Sequence, residues 1–175
     1  KFSSIFVCLK FGIWWLNTST RMSRHESLRD YQQWLVKETH ADDGNTIVVA
    51  PTGVGKTRVA FELSQTAQKR HPTRAVIVLC PTIALATQQQ GYWVEFSDDG
   101  GSLLIAGNKK TNFFHQPHPC VVFATPAKLG DFIGGCREDE NIYFHSQISL
   151  MILDECHHAN RMEESNQNGD TRHPY

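Results

Sequence analysis

With 175 residues, 40% of them apolar, the chain has room for one domain with a core of its own. Nothing in that composition points to a collagen repeat, a disordered chain or a membrane bundle. A formal net charge of -1 excludes binding to nucleic acid by bulk electrostatics, so any grip on a phosphate backbone must come from local placement of donors.

The first stretch stands apart from the rest. Residues Phe2 to Leu16 are mostly apolar, are interrupted by Lys10 and are too short to cross a bilayer. No small-x-small cleavage site follows, so residues 1–22 are expected to be an apolar leader, or an artefact of the gene model, ahead of a domain over 23–160. Ser23-x-x-Glu26 and Ser27-x-x-Asp30 are capping-box patterns ahead of a helix over Leu28 to Glu38, with Leu28, Tyr31 and Leu35 on one face. After a turn at Asp42 to Asn45, the run Thr46 to Ala50 reads as a strand buried on both faces.

From there strands and helices alternate. The pattern predicts a helix over Gly55 to Lys69, a strand over Ala75 to Cys80, a helix over Ile83 to Phe96 and a strand over Ser102 to Ala106. A polar stretch leads to a strand over Cys120 to Ala124, a short helix over Pro126 to Ile133 and a strand over Leu150 to Leu153. Residues 161–175, polar and apolar-poor, are expected to form a loop. The fold class is α/β, a mostly parallel sheet with helices on both faces.

Between the first of these strands and its helix lies Ala50-Pro51-Thr52-Gly53-Val54-Gly55-Lys56-Thr57. Glycines let successive backbone N–H groups point into one concavity, and the helix N-terminus adds its dipole to hold an anion. Thr52, Gly53, Val54, Gly55, Lys56 and Thr57 are therefore candidate ligands of a nucleotide, Lys56 reaching its β- and γ-phosphates and the Thr57 hydroxyl its magnesium ion. The last strand ends in Asp154-Glu155. Asp154 is placed to hold magnesium, and Glu155 to orient and deprotonate an attacking water. Lys56, Asp154 and Glu155 are the candidate catalytic residues, and ATP with Mg2+ the candidate cofactors.

The five cysteines are scattered without a CxxC pair, as befits a reducing, cytoplasmic compartment. Two other chemistries fit the sequence less well. Asn108-Lys109-Lys110-Thr111 resembles a guanine-reading loop but has Thr111 where the carboxylate should be. His115, His118 and Cys120, and the contiguous Cys156-His157-His158, lack the spacing of a zinc site, so no zinc and no membrane partner are expected.

Ala-x-Thr-Gly-x-Gly-Lys-Thr, with Ala50 where the general loop has Gly, together with Asp154-Glu155-Cys156-His157, resembles the superfamily 2 DExD/H-box helicases. The box is similar to the DECH variant of RIG-I-like receptors and Dicer helicase domains. The resemblance, over Leu28 to Ala159, implies a RecA-like P-loop NTPase domain, the first of two lobes. It implies that Gln32 reads adenine, and that Pro81, Thr82 and Gln88 (motif Ia) with Thr125 and Pro126 (motif Ib) touch a nucleic-acid backbone. RNA, in double-stranded form, is the expected partner, with DNA as the alternative. His157 is expected to couple the nucleotide site to the bound strand. The family's Ser-Ala-Thr motif, second lobe and arginine finger are not in this sequence, so the chain alone is expected to hydrolyse ATP slowly. Since such a finger contributes about 10³–10⁵ in rate, a nucleotide-binding piece without turnover is the alternative.

Overall fold

The computed structural model describes residues 3–9, 27–41, 45–51, 53–97, 101–105 and 120–156. Six strands, β1 (Ser3–Leu9), β2 (Thr46–Ala50), β3 (Ala75–Leu79), β4 (Gly101–Ile105), β5 (Cys120–Ala124) and β6 (Ile148–Leu153), form one sheet in the order β2-β1-β6-β3-β5-β4. Every pairing is parallel. The helices are α1 (Asp30–Ala41), α2 (Lys56–Arg70), α3 (Ile83–Phe96), α4 (Pro126–Gly134) and α5 (Glu138–Ser146).

Successive residues of a strand face opposite sides of the sheet, and both sides are apolar. At the edge strand β2 only one side is covered: Val48 is buried, but Ile47 and Val49 are 66% and 82% exposed, so the strand expected to be buried on both faces is buried on one. On one, Val48, Val76, Val78, Phe123 and Ile152 pack with Phe61 and Leu63 of α2 and Trp93 of α3. There Phe61 meets Trp93 edge-on, ring centroids 5.3 Å apart. On the other, Ile77, Leu79, Val122 and Ala124 pack with Leu129 of α4 and Phe144 of α5. Cys80 and Cys120 are each 1% exposed, the small buried hydrophobes that their place in apolar runs suggests.

Helices α3 and α4 start where the chain leaves β3 and β5, and each start has a mechanism. The Thr82 hydroxyl accepts the Leu85 N–H and the Thr125 hydroxyl accepts the Lys128 N–H, satisfying donors that a first helical turn leaves over. The start of α1 is different from the serine caps expected for it: the Arg29 N–H is taken by the Gln32 side chain. Helix α5 has no counterpart in the sequence pattern. Its start is closed by Glu140, whose carboxylate accepts the Arg137 N–H.

The stretch 1–22, expected to be a leader, contributes β1 to the sheet between β2 and β6. Ile5 lies opposite both Thr46 and Ile152, and Leu9 opposite Ala50. The rest of that stretch lies outside the described residues, as do the polar loop over 161–175 and the segment 106–119 with its guanine-loop and histidine candidates.

Candidate functional site

The register of the sheet sets the geometry. Leu79 is opposite both Leu153 and Ala124, and Ala124 is opposite Ile105, so β3, β6, β5 and β4 end level. Cys80 and Asp154 extend the ladder by one bond each: the Cys80 N–H reaches Ala124 O and the Asp154 N–H reaches Leu79 O, both at 2.8 Å. Pro81, Thr82, Thr125, Pro126, Asp154 and Glu155 therefore emerge along one edge. This is the carboxyl edge, where ligands of open α/β sheets are held.

The loop after β2 belongs to the same edge. Gly53 and Gly55 have φ of 82° and 80°, the left-handed region that favours glycine and turns successive N–H groups to one side. Gly55 precedes α2, which has no side-chain cap bond and no acidic residue in its first turn. A helix start left in that state suits an anion. A Cβ added at Gly55 would lie 2.6 Å from Gln32 Nε2, so no other residue fits without displacement. Thr57 is half-buried in the first turn; Thr52 and His157 lie outside the described residues.

Lys56 is 6% exposed and its ammonium lies on its own loop, donating to Ala50 O at 2.8 Å and Pro51 O at 3.2 Å. Gln32, also 6% exposed, ties α1 to the loop. Its Oε1 accepts the Arg29 N–H, while Nε2 donates to Val54 O at 3.1 Å and Gly55 O at 3.4 Å. Beside it the Tyr31 hydroxyl donates to Val54 O. Tyr31, Leu35, Val48, Val54, Lys56 and Val59 line a narrow apolar crevice there.

Both carboxylates of the box are buried, Asp154 at 5% and Glu155 at 6% exposure. Asp154 Oδ2 accepts from Gln89 Nε2 at 2.6 Å, whereas Oδ1 is buried without a hydrogen-bond partner among the described residues. Burial pushes the Asp154 carboxyl from 3.8 up to about 7, against the opposing pull of the Gln89 bond, the Glu155 backbone N–H and Lys56, with the Glu155 charge adding to the rise. Glu155 is held at φ 56°, a left-handed backbone costing a non-glycine residue of order 1–3 kcal/mol. Burial also pushes the Cys80 thiol well up, with the Asp154 charge adding to it, so that thiol stays protonated.

Among the remaining expected residues, Thr82, Gln88 and Pro126 are exposed and Pro81 is half-buried, while Thr125 is 8% exposed. Gln88 donates to the Tyr92 hydroxyl at 3.0 Å. The residue the sequence did not single out is its neighbour Gln89, and a signal was there. Ala86, Gln89, Trp93 and Phe96 follow helical spacing and form the buried face of α3, so an amide at that position stands out.

This geometry has consequences for stability. Gly55→Ala meets both an unfavourable dihedral and the Gln32 side chain, and is expected to cost about 1–3 kcal/mol in urea unfolding. In a Gln32→Ala background the steric part disappears and the loss is smaller; equal losses in the two backgrounds would show that Gln32 does not brace the loop. Between pH 4 and 7 the folded chain keeps a proton on Asp154 that the unfolded chain has released. Stability therefore falls as pH rises through that window, by up to about 1.4 kcal/mol per unit, and levels off above it. In metal-free buffer Asp154→Asn should flatten this part of the slope, and parallel curves for the two proteins would refute the raised carboxyl.

Comparison with known proteins identifies the family and the fold. The family described as "Type III restriction enzyme, res subunit" matches residues 25–170. Endoribonuclease Dicer homolog 4 of Oryza sativa subsp. japonica is 35% identical over 84% of this chain, and the match spans 8% of that protein. A DEAD-box ATP-dependent DNA helicase of Drosophila melanogaster, Fancm, is 30% identical over 75% of this chain and 9% of its own length. The chain thus spans under a tenth of either relative. Among solved structures, a nuclease-deletion mutant of the Type ISP restriction-modification enzyme LlaGI, in complex with a DNA substrate mimic, shares the fold. Its TM-score is 0.53 and its identity 19%, over 74% of this chain and 17% of that one. The chain belongs to the family of the type III restriction enzyme res subunit, and is a helicase-type ATP-binding domain, the first RecA-like domain of a superfamily 2 enzyme.

Proposed function

We propose that this chain is the ATP-binding lobe of an RNA-dependent helicase or translocase, taking Mg-ATP at the carboxyl edge of its sheet and a nucleic-acid backbone beside it. The observation that carries this is the level ending of β3, β5 and β6, with the glycine loop after β2 on the same edge. The residues present fit the nucleotide and its metal. Two left-handed glycines and the uncapped start of α2 suit phosphate, and the buried, unpartnered Asp154 Oδ1 suits a cation.

In this reading Lys56 exchanges its bonds to Ala50 O and Pro51 O for the β- and γ-phosphate oxygens. Thr57 and Asp154 hold the magnesium, which when bound neutralises charge on the phosphate oxygens. Glu155 orients the attacking water and takes its proton. Gln32 meets the adenine at the start of α1, where its present bonds to Val54 O and Gly55 O make it a brace between base and loop.

The strand would lie against the starts of α3 and α4. Capping uses an acceptor site of the Thr82 and Thr125 hydroxyls and leaves each O–H able to donate to a phosphate. Pro81, Gln88 and Pro126 flank them. With a net charge of -1, such local donors are what the chain has to offer a backbone.

RNA is favoured over DNA by the Asp154-Glu155-Cys156-His157 box and by similarity to a Dicer endoribonuclease. The DNA-directed reading is supported by similarity to the Drosophila DNA helicase. In a protein carrying both lobes, double-stranded RNA should stimulate ATP hydrolysis, and Lys56→Ala should lower that rate by about 10²-fold or more. Stimulation by DNA alone would overturn the RNA reading. The 175-residue chain by itself should bind Mg-ADP and turn ATP over slowly, because the arginine finger of a second lobe supplies about 10³–10⁵ in rate; brisk turnover would contradict the lone-lobe reading.

A further inference from the structure

Helix α3 puts four side chains into the core, Ala86, Gln89, Trp93 and Phe96, and three of them are apolar. Gln89 is 3% exposed and breaks that face. Its Nε2 reaches across to Asp154 Oδ2 at 2.6 Å, while its Oε1 is buried with no partner among the described residues. An amide in this position leaves a carbonyl oxygen desolvated for the sake of one bond to a carboxylate. A leucine or methionine would fill the same space without that penalty. The bond therefore has a use other than packing.

Its use is legible in what it does to the carboxylate. A carboxylate at the end of a strand turns about a soft, two-fold torsion, and burial alone does not choose its orientation. The bond from Gln89 occupies Oδ2 and leaves Oδ1, the oxygen without a partner, as the one that can take a cation. We propose that Gln89 is a positioning residue of the magnesium site, an amide outside the ligand set that fixes the Asp154 carboxylate so that Oδ1 is presented to the metal. This rests on the assignment of Asp154 as a magnesium ligand. Helix α3 then serves both halves of the site, since Thr82 at its N-cap faces the proposed strand and its second turn braces the metal ligand. Residues in this outer position set metal affinity by about 10–100-fold in other metal sites.

The test uses the 175-residue chain and N-methylanthraniloyl-ADP, titrated with magnesium and again with EDTA; the ratio of the two affinities is the magnesium increment. Gln89→Met, similar in size but without a donor, should cut that increment about tenfold or more while the affinity in EDTA holds. An unchanged increment, or equal losses with and without magnesium as a general packing defect would give, overturns the proposal. Combined with Asp154→Asn, Gln89→Met should cost nothing further, and additive losses would also overturn it. If Asp154→Asn alone leaves the increment intact, the metal assignment itself is wrong and the role of Gln89 falls with it. If Asp154→Asn removes the increment and Gln89→Met does not, only the role of Gln89 falls. Should Gln89→Met lose its helical circular dichroism, Gln89→Asn, which keeps an amide but withdraws it by one methylene, is judged by the same ratio.

Discussion

A parallel sheet has one carboxyl edge, and every chain segment that follows a strand must leave through it. In this protein that constraint gathers residues from distant parts of the sequence. The glycine loop after Ala50, the threonine-capped helix starts after Leu79 and Ala124 and the carboxylates after Leu153 meet because their strands run the same way. Antiparallel pairing at any one of these strands would send its loop to the opposite edge. Both faces of the sheet are covered by apolar packing at β3, β5 and β6, so the edge is also where polar groups can be concentrated.

The site is under electrostatic and backbone stress that the surrounding structure holds in place. Asp154 is buried with its carboxyl raised to about 7, Glu155 sits in a left-handed backbone and Lys56 is satisfied by its own loop. Each is a state that a phosphate or a cation can relieve. A ligand would supply the charge that Asp154 lacks and new oxygens for Lys56. The Gln89 bond is the counterpart of this stress, since it stabilises the charged form of a carboxylate that burial disfavours.

Much of this was legible in the sequence, for local reasons. Strands β2 and β5 and helix α3 have the bounds expected from a β-branched run or from a proline-threonine pair followed by apolar spacing. The other shared elements differ by a few residues at their ends, where caps decide: Gly55 and Arg29 turn the chain, so that α2 starts at Lys56 and α1 at Asp30. Helix α5 is hidden in the sequence because Glu138–Ser146 is mostly polar, buries Phe144, and is closed by an arginine and a glutamate in place of a serine box. Strand β1 is hidden because its partners, Thr46–Ala50 and Leu150–Ile152, are remote, and a lone apolar run does not reveal which strands it will join. Gln89 stands one position from Gln88, and only the helical phase separates an exposed amide from a buried one.

Everything proposed for this chain requires that the glycine loop and the box carboxylates form one nucleotide–metal site. A crystal structure of the chain with a non-hydrolysable ATP analogue and Mn2+, read by anomalous scattering, would decide it. A manganese peak bonded to Thr57 Oγ1 or Asp154 Oδ1, directly or through water, is expected, with the phosphates against the N–H groups of Gly53 to Thr57 and Lys56 turned onto them. Phosphates bound away from the start of α2, or a manganese peak remote from Asp154, would contradict it.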